Sequence, residues 1–146
     1  MRPWYRTREG REKFVEPRYH GGVGGPAYKL TLEDRKDYLY ALITGEQDSY
    51  DVTMGAVTEV AAACKIRGTT KLLVEHQVSG RLSTLEIYKI ATQLPPLFGD
   101  VYVGFVVRLT STPENPELLR NVAVNRGGRG RLFTDAESAE AWLRSL

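Results

Sequence analysis

The chain has 146 residues, 42% of them hydrophobic and 26% charged, with a formal net charge of +2. That length allows one domain to bury a core without disulfides or metals, and the composition is that of an ordinary globular protein rather than a disordered or fibrous one. No apolar run nears the roughly 20 residues that cross a bilayer, and no apolar block follows the arginines of MRPWYRTREGREKF, so neither a membrane helix nor a signal peptide is expected.

The single cysteine, Cys64, has no second thiol for a disulfide or a metal cluster, which points to a reducing cytoplasm. The charge is uneven: of 20 Lys/Arg and 18 Asp/Glu, six and three lie in residues 1–20, leaving 14 and 15 for the rest. The remainder of the chain is thus near neutral, which argues against a basic nucleic-acid-binding face.

Residues 1–26 mix charge, aromatics and the run Gly21-Gly22-Val23-Gly24-Gly25-Pro26 without a sustained period, and read as a flexible basic arm. The domain proper, 27–146, opens with AYKLTLE, where Tyr28, Leu30 and Leu32 alternate with Lys29, Thr31 and Glu33 as in a strand with one wet face. After the turn Asp34-Arg35-Lys36-Asp37, YLYALITG reads as an antiparallel neighbour ending at Gly45. From about Asp48 to Lys65 the period becomes helical, with Tyr50, Met54, Val57, Ala61 and Cys64 on one face and Gly68 as a stop.

KLLVEH (71–76) is a short buried strand. Ser83-Thr84-Leu85-Glu86 is a capping box, and its helix is expected to stop at Leu94 before Pro95-Pro96. VYVGFVV (101–107) reads as a strand covered on both faces. A third helix is expected from Pro113–Pro116 to Gly127, burying Leu119, Val122 and Ala123, and a fifth strand near Arg129–Phe133. Thr134-Asp135-Ala136-Glu137 then forms a second capping box before a terminal helix that stacks Ala136, Ala139, Leu143 and Leu146, with Trp142 alongside as a core anchor. The order ββαβαβαβα gives an α/β domain: a mixed, mostly parallel five-stranded sheet packed with four helices.

That order, with the ending RLFTDAESAEAWL, resembles the STAS domains of anti-sigma-factor antagonists, more closely the small stand-alone SpoIIAA-like proteins. Phe133, Asp135, Glu137, Ala139, Ala141, Trp142 and Leu143 fall on the pattern, and the resemblance covers about residues 27–146. It implies a regulatory module that works by binding a protein. Sigma-regulating members phosphorylate a serine within an aspartate-serine-serine-glycine motif at the start of the helix after the third strand. Here that region reads GRLSTLE, lacking both the aspartate and the glycine, which argues against phosphorylation of Ser83 or Thr84.

In open α/β sheets, ligands bind outside the carboxyl ends of the strands. The loops there carry His76, Ser79, Arg81 and Ser83 on one side and Arg108, Thr110, Ser111 and Thr112 on the other, and helix-start amides with an arginine suit a phosphate or carboxylate. The competing reading is that Ser83 only caps its helix. His76 and Ser79 form no recognisable triad, lacking an orienting carboxylate and an oxyanion pattern. His20 and His76 lie too far apart in sequence to suggest a metal site, and no cofactor motif is present. The segment Arg126–Arg131, RGGRGR, is short for an RNA-binding arginine-glycine tract and reads as a helix end and strand edge. The leading expectation is a non-enzymatic module that binds a protein partner or itself; the alternative is a carrier or sensor of a small anionic or lipid-like ligand at His76, Ser79, Arg81, Ser83, Arg108, Ser111 and Thr112.

Overall fold

A computed structural model of the chain describes residues 4–6, 12–14, 16–20, 28–107 and 129–146. Strands β1 (Trp4–Arg6) and β2 (Glu12–Phe14) pair antiparallel as a separate ladder. A six-stranded sheet takes β3 (Glu16–His20), β4 (Tyr28–Asp34), β5 (Leu39–Gly45), β6 (Lys71–Val78), β7 (Tyr102–Val107) and β8 (Gly130–Phe133) in chain order. The pairs β3–β4 and β4–β5 are antiparallel, whereas β5 through β8 run parallel to one another. Helices α1 (Tyr50–Arg67), α2 (Thr84–Phe98) and α3 (Ala136–Ser145) complete the described elements.

The five strands anticipated from periodicity stand in the anticipated order. A sixth, β3, lies within the stretch read as an arm and pairs with β4 in the register Glu16 opposite Leu32 and His20 opposite Tyr28. Such an edge strand is held through backbone groups, so no side-chain alternation announced it. The helix expected between Pro113 and Gly127 lies outside the described residues.

Strand alternation decides which residue meets which helix. Leu72 and Val74 of β6 join Leu30, Ile43, Val57, Val60, Ile90 and Leu94 in a core between the sheet and the pair α1 and α2. Leu73, one position out of phase, faces the opposite side with Val106, Tyr38, Ala139 and Leu143 under α3. Trp142 is only half-buried; it packs edge-on to Tyr102 at 6.3 Å and tilted against Phe133 at 5.6 Å, with Arg131 over its ring. Leu143 and Ala139, both without exposed surface, are the anchors that the sequence reading assigned to the tryptophan.

Local caps set the helix ends. Ser49 accepts the N–H of Val52 at the start of α1, and Gly68, in the left-handed region at φ 63°, ends it. The start of α3 is capped by Asp135, which accepts from Ser138 N–H at 2.7 Å, one residue later than the expected Thr134. Helix α2 passes through Pro95 and Pro96 to Phe98 instead of stopping at Leu94. The extra turn buries Phe98 edge-on to Phe105 at 6.3 Å and packs Leu97 on the core. That burial offsets the backbone hydrogen bonds the prolines cannot make.

Candidate functional site

The parallel register places the end of β5 beside the end of β6, with Ile43 opposite His76 and Gly45 opposite Val78. The loops that leave these strands are tied together by backbone bonds: Ser79 N–H donates to Gly45 C=O at 3.1 Å, and Asp48 N–H donates to Ser79 C=O at 2.7 Å. Gly80 permits this closure. It sits at φ 103°, and a Cβ there would lie 3.2 Å from the Asp48 nitrogen.

Asp48 is thereby folded inward just ahead of α1, and its side chain is 3% exposed. Its Oδ1 accepts Ser49 N–H at 2.8 Å and Thr53 Oγ1–H at 2.8 Å. His76 follows Leu72 and Val74 on the α1/α2 side of β6, which brings its Nε2 to 3.2 Å from Thr53 Oγ1 and 3.4 Å from Asp48 Oδ2. With the Thr53 proton directed at Asp48, the contact between Thr53 and His76 is a hydrogen bond when the ring carries hydrogen on Nε2. Burial is the main influence on both titrating groups and acts in opposite senses: it lowers the imidazole and raises the carboxyl. The attraction between the two groups, and for Asp48 the bonds from Thr53 and Ser49, oppose those shifts. A ring hydrogen on Nε2 directed at Thr53, with the Asp48 carboxylate 3.4 Å away, fits this arrangement.

This polar cluster forms one end of a cavity of about 60 Å³ under α1 and α2. Among the described residues, Ile43, Val57, Val74, Leu82, Ile87, Ile90, Leu94, Phe105 and Val107 supply the rest of its wall, all apolar. At the rim, the two helix starts share one carboxylate. Glu86 accepts Ser83 N–H at 3.0 Å through Oε1 and Tyr50 N–H at 3.1 Å through Oε2, while Ser83 Oγ accepts Glu86 N–H at 3.2 Å. These bonds hold the Glu86 carboxyl below the usual carboxylate range.

Of the residues singled out from the sequence, His76 lines the cavity. Ser79 and Arg81 are exposed in the loop above it, Ser79 contributing backbone bonds. Ser83 caps α2 and Thr84 is the exposed first residue of that helix. Arg108, Ser111 and Thr112 lie outside the described residues. Asp48 and Thr53, central to the cluster, were missed, because the ends of β6 and β7 were searched and that of β5 was not. A parallel β5–β6 pair, implied by the helix between them, carries the signal that would have found Asp48. Among the described residues no group of three or more metal-ligating side chains converges, and no helix is long and apolar enough to cross a membrane. Cys64 is buried in α1, where burial pushes its thiol up to about 11.

No family model matches this chain, and no curated protein does. Among solved structures, the crystal structure of an anti-sigma factor antagonist from Mycobacterium paratuberculosis is similar, with a TM-score of 0.55 at 18% identity, over 80% of this chain and 94% of that one. At that identity the likeness is one of fold, and the fold of this chain is STAS-like.

Proposed function

We propose that this chain is a non-enzymatic regulatory module that acts by binding a protein partner, with the outer face of the first turns of α2 as the docking surface. The observation that carries the reading is the exposure of Leu85 and Tyr88, 62% and 44%, three residues apart on one face of a helix whose other face, Ile87, Ile90 and Ala91, is buried. A leucine and a tyrosine held outward by a rigid, capped helix form the kind of anchor pair that dominates interface energy. The similar solved structure is described as an antagonist of an anti-sigma factor, which supports a role exercised on another protein.

The chemistry of the buried cluster supports the non-enzymatic part. Thr53 directs its proton at Asp48 rather than at His76, unlike the arrangement in which an imidazole withdraws the proton of a hydroxyl nucleophile. A reducing, cytoplasmic setting is part of the proposal and rests on the lone buried Cys64.

Site-specific photocrosslinking in the native cell tests the docking face, with a photoreactive phenylalanine analogue at position 85, at 88, or at the exposed turn residue Lys36 as control. The expected result is one defined foreign protein attached at 85 and 88 and absent at 36. Adducts equal to those at 36, or adducts only to a second copy of the chain, overturn the reading.

A further inference from the structure

We propose that the cavity between β6, α1 and α2 is a binding site for a small molecule with an apolar body and a hydrogen-bond-donating head, an alcohol or a primary amine. The site is distinct from the docking face and stands or falls independently of it.

The head-group preference follows from an inventory of acceptor capacity at the polar end. An ionised carboxylate is acceptor-only and offers about four lone-pair positions. Asp48 uses two of them, for Ser49 N–H and Thr53 O–H on Oδ1, while His76 Nε2 lies 3.4 Å from Oδ2. Thr53 already donates to Asp48, and His76 Nε2 is directed at Thr53 and Asp48, so the capacity left over is an acceptor position on the carboxylate. A ligand that donates completes this cluster. A carboxylate or phosphate would instead meet a buried negative charge, with no lysine or arginine among the described lining residues to offset it.

Size and wall chemistry set the body. At about 60 Å³ the cavity is small, which suits a short chain rather than a long one. Its described wall, aliphatic with one aromatic, Phe105, rewards a short hydrocarbon chain. The molecule would also touch the docking helix from beneath. Leu82 and Ile87 line the cavity, whereas Leu85 and Tyr88 stand outward on the same first turns of α2.

The test is an NMR titration of the full-length, isotope-labelled protein with n-butylamine, 1-butanol and butyrate, three probes of one body and different heads. Saturable shifts at the backbone amides of His76, Leu82 and Ile87 are expected with the amine and the alcohol, and at least tenfold weaker binding with butyrate. Leu82→Trp, which fills the cavity from its half-buried rim, should abolish the shifts, and Asp48→Asn should weaken the amine more than the alcohol. The comparison of the three probes uses the unaltered protein, so it decides the matter even if a variant fails to fold. Butyrate binding as tightly as butylamine, no saturable shift with either donor, or shifts that persist in a folded Leu82→Trp protein would each overturn the proposal.

Discussion

Glu86 accepts the backbone N–H of Tyr50 across 36 residues of sequence, at 3.1 Å. Its other oxygen closes the capping box at Ser83, so one carboxylate satisfies exposed amides at the starts of both helices that roof the cavity. Glu86→Ala should cost about 1–2 kcal/mol in urea unfolding at neutral pH, the sum of a cap and a charge-assisted bond. Because the folded carboxyl is held below its ordinary 4.5, this contribution is complete above that pH and is lost as the pH falls through the folded value. An equal cost at pH 7 and below pH 3 would contradict the assignment.

The buried imidazole gives the opposite kind of handle. His76 is lowered from 6.5, so in the window below 6.5 the unfolded chain holds more protons than the folded one, and stability falls as the solution is acidified. The slope cannot exceed about 1.4 kcal/mol per pH unit for one group. Asp48 works against it at lower pH: its carboxyl is raised from 3.8, and its contribution weakens as the pH climbs above 3.8. Urea unfolding between pH 7.5 and 5.5 should show the loss in the unaltered protein and a flatter profile in His76→Gln. Identical slopes in the two proteins would mean that His76 is freely protonated in the fold.

Two glycines with positive φ separate backbone strain from steric contact. Gly68 at φ 63° has open space around a hypothetical Cβ, whereas Gly80 at φ 103° has the Asp48 nitrogen 3.2 Å away. Gly68→Ala should therefore cost about 1 kcal/mol, the left-handed penalty alone, and Gly80→Ala about 2–3 kcal/mol, since it also pushes the two loops apart. Calorimetric midpoints that rank them the other way would remove Gly80 from its closing role.

For α3, Leu143→Ala should cost about 2–5 kcal/mol and Trp142→Ala about 1.5–3, because the leucine is wholly buried and the indole is not. A larger loss at the tryptophan would restore it as the anchor.

Removal of residues 1–26 would strip β3 from the edge of the sheet and bare those N–H and C=O groups of Tyr28–Leu32 that face it. The shortened chain is expected to fold, to melt a few degrees lower, and to self-associate through that edge in sedimentation experiments. An unchanged midpoint together with a monomer would show that the β3 pairing contributes nothing.

The parts of the structure legible in the sequence are those where side-chain pattern and structure are the same fact. Tyr28, Leu30 and Leu32 alternate in burial as they alternate in the chain, and Ser83 with Glu86 forms the box its spacing announces. What escaped depends on relationships between distant residues. The last turn of α2 is kept by Phe98 meeting Phe105, which outweighs the two prolines. Asp48 is ordinary as a letter between Gln47 and Ser49, and becomes part of a site only when the β5–β6 register sets it against His76. Trp142 has the composition of a core residue, yet its position on α3 leaves it at the margin while Leu143 takes the centre.

The six strands of the main sheet stand side by side in the order in which they occur along the chain. Each strand after β3 therefore docks on the one synthesised just before it, and the longest wait between β4 and β7 is the single helix that links consecutive parallel strands. Loop closures are short, which favours rapid assembly, and a chain emerging from the ribosome can build its sheet progressively without reserving a gap for a later strand. The far face differs: Leu73 and Val106 are in place long before α3 is made to cover them. Among the described residues α3 is the element that covers that face, so this half of the core closes last.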